Sequence, residues 1–218
     1  MNENLIFLKK HGLKNFLIIF YYRVLTNLYN KKYNLETNGI PLDKLDKSSA
    51  PKSIRYFDTG TESIVVPSIR SILKNLTISP DDIIIDMGSG QGRFLFVASE
   101  FKFKEIIGVE FLDYLYKISL NNLKNFSIKN QNNISIKNSD ILDYVFTGKE
   151  NFFYFYNPFD CRMMRLVIKK IKDEIKVNSR KVTIIYVSPK CHQVLEGFNF
   201  KLVKKIKLVH KICHIYTN

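Results

Sequence analysis

The chain has 218 residues and carries 34 Lys and Arg against 20 Asp and Glu, a formal net charge of +14. That length holds one domain of ordinary size with a short extension. Its 45% hydrophobic and 13% aromatic content excludes a wholly disordered polymer, which lacks the apolar surface to offset its conformational entropy. No simple spanning helix is expected, because the longest apolar run near the N-terminus, Phe16 to Tyr22, stops at Arg23, far short of the roughly 20 residues needed. Three widely spaced cysteines, Cys161, Cys191 and Cys213, form no C-x-x-C pair. They predict reduced thiols, a cytoplasmic setting and no metal site. The start MNENLIFLKK has an early acid and no cleavage site after an apolar stretch, which reads against a secretory signal.

The charge is uneven along the chain. Residues 1–56 hold ten basic and four acidic residues (+6), residues 57–161 ten and thirteen (−3), and residues 162–218 fourteen and three (+11). The flanks are therefore basic and the middle mildly acidic. Anionic lipid, an acidic polymer or nucleic acid could each meet such flanks.

In chain order, Leu13, Phe16, Leu17, Phe20, Tyr21, Val24, Leu25 and Leu28 follow the i, i+3, i+4 series of an amphipathic helix, with Lys9, Lys10, Lys14, Arg23, Lys31 and Lys32 around it. Two readings stand: a helix packed on the domain, or a basic interfacial helix on a membrane. A linker rich in Ser, Pro, Lys and Asp is expected over Asn38–Ser53, so that residues 1–56 form an extension and residues 57–218 the domain. Pro67 to Leu76 reads as a helix with proline in its first turn. Ile83–Ile85 is a strand buried on both faces, followed by a helix over Phe94–Phe101. Ile106–Val109 is a second strand, Tyr114–Leu123 a helix, Ile134–Ile136 a third strand and Phe152–Tyr156 a fourth; the Asn-rich stretch Asn121–Asn138 reads as a loop between elements. A helix over Met163–Val177, a strand over Val182–Val187 and an antiparallel pair from Phe200–Val203 and Lys211–Tyr216 complete the chain. This alternation predicts an α/β fold with an open, mostly parallel sheet covered on both faces.

The chemistry concentrates at DMGSGQGR, Asp86 to Arg93, between the first strand and the next helix. Gly88, Gly90 and Gly92 let the backbone approach a ligand at the carboxyl end of the sheet, with Ser89 between them. A dinucleotide fingerprint would place its third glycine one residue later. Asp86 at the strand tip would also repel a pyrophosphate and favour a ligand with an ammonium and a sulfonium, such as S-adenosylmethionine. Glu110, closing the second strand, suits ribose hydroxyls. Asp140 after the third strand can accept from an adenine amino group, with Ile141 or Phe111 against the ring. Asn157, Pro158 and Phe159 follow the fourth strand where a methyl acceptor would stand.

With these residues the sequence resembles the class I S-adenosylmethionine-dependent methyltransferases from roughly Val65 to the C-terminus. The resemblance implies a Rossmann-like, seven-stranded sheet with an antiparallel last strand. It also implies cofactor binding by the D-x-G-x-G-x-G loop at Asp86–Gly92, by Glu110 and by Asp140. The segment from Tyr33 through NPFD is similar to a bacterial subgroup of uncharacterised methyltransferases that often carry Y-x-P-[TS] before the first helix; Val65-Val66-Pro67-Ser68 stands there, without the tyrosine. Asn157-Pro158-Phe159 is similar to the N-P-P-[FY] signature of amino-group methyltransferases, with the second proline replaced.

Methyl transfer from a sulfonium needs mainly orientation and exclusion of water. An alcohol acceptor would also need a base, for which Asp160, His192 and Tyr156 are candidates. The expected acceptor is a small molecule, glycan or protein; a nucleic-acid methyltransferase using the basic flanks and a non-catalytic binding protein are the alternatives. Few aromatics interleave the C-terminal lysines, which argues against a base-stacking surface.

Overall fold

The short β-branched and aromatic runs become the interior of a seven-stranded sheet in a computed structural model that describes residues 3–39, 63–126, 133–156 and 159–218. In chain order the strands are β1 (Ile83–Met87), β2 (Glu105–Glu110), β3 (Ile134–Asn138), β4 (Phe152–Tyr156), β5 (Thr183–Val187), β6 (Lys201–Lys207) and β7 (Ile212–Thr217). Their spatial order is β3-β2-β1-β4-β5-β7-β6. The first five run parallel, and β7 enters antiparallel to both β5 and β6. This is the mostly parallel sheet with an antiparallel last strand that the sequence predicts.

A parallel sheet exposes neither face, so its strands alternate between two cores. Ile84, Ile106, Tyr154 and Ile185 point into the first core, with α2 (Val66–Lys74), α3 (Arg93–Ala98) and the aromatic side chains Tyr29 and Phe126. Ile85, Ile107, Phe153 and Ile184 point into the second, against α5 (Cys161–Val177) and α6 (His192–Gly197). Pro67 stands in the first turn of α2, where its missing N–H costs no hydrogen bond. The helix α4 (Asp113–Asn125) links β2 to β3, so both ends of the Asn-rich stretch belong to regular elements rather than to a loop.

The N-terminal helix α1 (Glu3–Tyr33) is interrupted at Gly12, whose φ of 77° is left-handed. It does pack on the domain, but not through the stripe that periodicity selects. Among its described side chains Ile19, Thr26, Tyr29 and Asn30 are buried, while Leu13, Leu17, Phe20, Tyr21, Val24 and Leu28 face solvent. Hydrophobic side chains lie all round this helix, and the hydrogen-bonding capacity of Thr26 and Asn30 selects the docked side. Thr26 Oγ1 accepts from the Val66 amide at 3.0 Å, and Asn30 Oδ1 accepts from the Thr37 hydroxyl at 2.8 Å.

The cysteine expectation is corrected. Cys161 and Cys191 form a disulfide with 5.3 Å between their Cα atoms, and only Cys213 is free. A sequence separation of 30 hides the pair in the sequence. Because β4 and β5 are parallel neighbours, the starts of α5 and α6 meet above the same edge of the sheet. At the start of the expected linker, Asn38 and Gly39 are bonded to the domain; the rest of it, and the boundary at residue 56, lie outside the described residues.

Candidate cofactor-binding site

Strand order reverses between β1 and β4, and the crevice above the carboxyl ends at such a point is where ligands bind in open α/β sheets. The loop after β1 is built for it. Gly88, Gly90 and Gly92 have φ of 95°, 53° and 87°, conformations that a side chain resists. The amides of Gly88 and Ser89 both donate to the Val109 carbonyl at 3.0 Å, fixing the loop across the end of β2. At Gly92 an added Cβ would lie 2.5 Å from Ser119 Oγ, whereas at Gly90 it would enter open space. Gly92 is therefore required by packing, and Gly90 leaves its backbone open to a ligand.

Asp86 and Glu110 are both buried at adjacent strand ends. Glu110 accepts from the Gly90 amide at 2.8 Å through one oxygen and from the Leu112 amide at 2.9 Å through the other. Burial pushes its pKa up to about 7 in spite of these bonds. Asp86 is raised well above the usual carboxylate range, first by burial and then by repulsion from Glu110. Among the described residues neither acid forms an ion pair. Two desolvated carboxyl groups with no cation beside them among the described residues make a site whose ionised form gains from a positively charged ligand.

Asp140 lies beyond β3, brought near Glu110 by the bond from the Ser139 amide to the Glu110 carbonyl. Its Oδ1 accepts from the Leu142 amide at 3.0 Å and so caps the following turn. Ile141 is buried in the second core, while Phe111 is half-buried beside Glu110. Asn157 and Pro158 lie outside the described residues. Phe159 packs on the second core with its ring edge-on to Phe155 at 6.4 Å.

The three candidate bases separate. Asp160 Oδ1 accepts from the amides of Arg162 and Met163 at 3.0 and 2.8 Å as the N-cap of α5. His192 faces Glu196 across one turn of α6 at the surface. Tyr156 ends β4, and its hydroxyl accepts from the Lys211 ammonium, which also lies over the ring, 4.8 Å from its centre.

Sequence reasoning missed the polar strap that joins the N-terminal segment to the glycine loop. Arg93 is buried and donates to Thr37 Oγ1 at 2.9 Å, to Asn38 Oδ1 at 2.9 Å and to the Ile64 carbonyl at 3.2 Å. Desolvation lowers its pKa to about 10. Gln91 Oε1 accepts from the Gly39 amide at 2.7 Å, and Asn122 bonds both the N–H and the carbonyl of Glu36. An arginine opening the apolar run RFLFVA was the available signal, because a cation buried there needs distant acceptors.

Residues 54–153 match the family model described as histone methylation protein DOT1. No curated protein matches the sequence. Among solved structures, the chain is similar to an RNA methyltransferase from Salinibacter ruber in complex with S-adenosyl-L-homocysteine, with TM-score 0.54 and 14% identity over 71% of this chain and 92% of that one. It is also similar to a SAM-dependent methyltransferase from Aquifex aeolicus, with TM-score 0.55 and 12% identity over 82% and 98%. A third likeness is to the N-methyltransferase NodS from Bradyrhizobium japonicum WM9 in complex with S-adenosyl-L-homocysteine, with TM-score 0.50 and 12% identity over 70% and 85%. At these identities the likeness establishes the fold, which is the Rossmann-like class I methyltransferase fold expected from the sequence.

Proposed function

We propose that the chain is an S-adenosylmethionine-dependent methyltransferase acting on an amine or hydroxyl of a small molecule, glycan or protein. The observation that carries this reading is the pair of buried carboxyl groups Asp86 and Glu110, without an ion pair among the described residues, beside the left-handed Gly88 and Gly90. The residues fit the cofactor: Asp86 would face its cationic methionine portion, Glu110 would accept from ribose hydroxyls, Asp140 would accept from the adenine amino group and Phe111 would pack on the ring. The backbone of Gly88, Ser89, Gly90 and Gly92 lines the approach. When bound, the cofactor supplies a methyl group already activated by the sulfonium charge.

The protein then has to align an acceptor and exclude water. Asn157, Pro158 and Phe159 are assigned to that task by their position between β4 and α5. For a hydroxyl acceptor, Tyr156 is favoured as base over Asp160 and His192, because it ends a strand at the crevice and its hydroxyl meets the Lys211 ammonium. Calorimetric titration is the test. Binding of S-adenosylmethionine should be lost in Asp86→Ala and Gly90→Val, and unchanged binding in both would overturn the assignment.

A nucleic-acid acceptor is the second reading, favoured by the exposed Lys201, Lys204, Lys205 and Lys207 of β6. It predicts binding to a random oligonucleotide that weakens steeply with salt. A cofactor-binding protein that transfers no methyl group to any fraction of a cell extract would instead be a non-catalytic member of the fold.

A further inference from the structure

The stretch of α1 after Gly12 presents two opposite apolar faces, and among the described residues only one is covered. Leu13, Leu17, Phe20, Tyr21, Val24 and Leu28 are between 40 and 62% exposed. At 3.6 residues per turn they fall within an arc of roughly 100°, a continuous ridge about 23 Å long. The buried Ile19, Thr26, Tyr29 and Asn30 lie on the far side of the helix. Exposed side chains this large and contiguous mark an interaction surface rather than scattered surface residues.

The charges around the ridge select its partner. From Leu13 to Tyr33 the helix carries Lys14, Arg23, Lys31 and Lys32, all exposed, and no acidic residue. Lys14 and Lys32 project along one border of the ridge, Arg23 along the other, and Lys31 at its C-terminal end. A second copy of this face would bring like charges together along the seam, where paired helices need alternating signs. A protein partner would bury the cations unless it supplied a matching acid for each. A membrane surface needs neither arrangement: long basic side chains lie over the apolar ridge with their heads at the phosphates, while the ridge enters the acyl boundary. No described helix is long and apolar enough to cross a membrane, so the contact would be lateral.

We infer that the outward face of α1 docks on an anionic lipid bilayer. The helix would lie in the plane of the interface and hold the domain against it. Because its opposite face bonds α2 through Thr26 and the polar strap through Asn30, docking would set the crevice at a fixed orientation to the membrane.

Co-sedimentation of the full chain with vesicles tests this inference. The chain should pellet with phosphatidylcholine vesicles containing phosphatidylglycerol, pellet weakly with pure phosphatidylcholine, and be released by salt. The variant Leu17→Ser/Phe20→Ser should lose binding by at least about tenfold, since each side chain contributes apolar burial. Both positions are exposed, so the variant should keep the wild-type melting temperature. The chain has no tryptophan, so Phe20→Trp gives a single reporter whose emission should shift to the blue with anionic vesicles only. Undiminished binding in the serine variant would show that net charge alone is responsible and would overturn the inference. So would a wild-type dimer that the serine changes dissociate while vesicles bind neither form.

Discussion

At the ends of β1 and β2 the crevice is made of two buried acids and three glycines in left-handed conformations, whereas at the ends of β4 and β5 it is made of a helix cap, a tyrosine–lysine contact and a disulfide. The first half carries groups whose own solvation favours another state, since both acids would be better ionised in water. The second half carries groups that lower the energy of the folded chain as it stands. On the proposed reading, the desolvated acids lie where a cationic ligand would relieve them, and the stiff groups lie where an acceptor would be held in line. Substitutions in the two halves should therefore separate: the first should change ligand affinity, the second folding stability.

The largest expected effect is on the acid side. Asp86→Asn should weaken S-adenosylmethionine by about 2–5 kcal/mol, or roughly 30-fold and more, as for other buried charge partners. The same change should raise the melting temperature of the ligand-free protein at neutral pH. An acid whose folded pKa lies above its unfolded value stabilises the fold only while protonated, and that contribution is lost as pH rises through the folded pKa. Calorimetry and thermal melts on one preparation measure both, and a loss of stability together with affinity would break the contrast.

On the other side, Cys161→Ser/Cys191→Ser should cost about 3–4 kcal/mol of unfolding free energy, as expected for opening a loop of this length. Denaturant titration with and without reductant gives the value, and the affinity for S-adenosylmethionine should stay within a few-fold. If the cofactor is lost as well, the two halves are one cooperative unit.

A smaller effect is expected from pH. Burial pushes the Glu110 pKa up to about 7, and in the proposed site ribose hydroxyls would donate to the carboxylate form. Affinity should therefore rise by about tenfold between pH 6 and 8, the change that release of a single proton produces. Glu110→Gln should flatten that profile while weakening binding throughout.

How much of this could be read from the chain depended on how local the physics was. IIIDM and IIGVE announce strands buried on both faces, and Asp86 and Glu110 take their positions from those strands, so one half of the crevice follows from short sequences. Arg93 was passed over because its acceptors Thr37, Asn38 and Ile64 lie 56, 55 and 29 residues away. The disulfide was hidden for the same reason. On α1 the helical period was legible but its docked side was not: apolar residues lie all round, and the choice rests on two hydrogen bonds to residues later in the chain.

Asp160 sharpens the comparison most finely, because one residue can be placed in either scheme. As the N-cap of α5 it satisfies two amides that the helix leaves open. Asp160→Ala should then cost about 1 kcal/mol of stability, while Asp160→Asn, which caps as well, should cost almost nothing. As a base it would behave differently: asparagine accepts no proton at neutral pH, so Asp160→Asn would keep the fold and lose turnover with a hydroxyl acceptor. The cap geometry predicts that the asparagine variant retains wild-type stability and wild-type methyl transfer to whichever acceptor is found. Tyr156→Phe should then lose transfer to a hydroxyl while α5 stays as stable as before. A stable asparagine variant without activity would move Asp160 from the stiff half of the crevice into its chemistry.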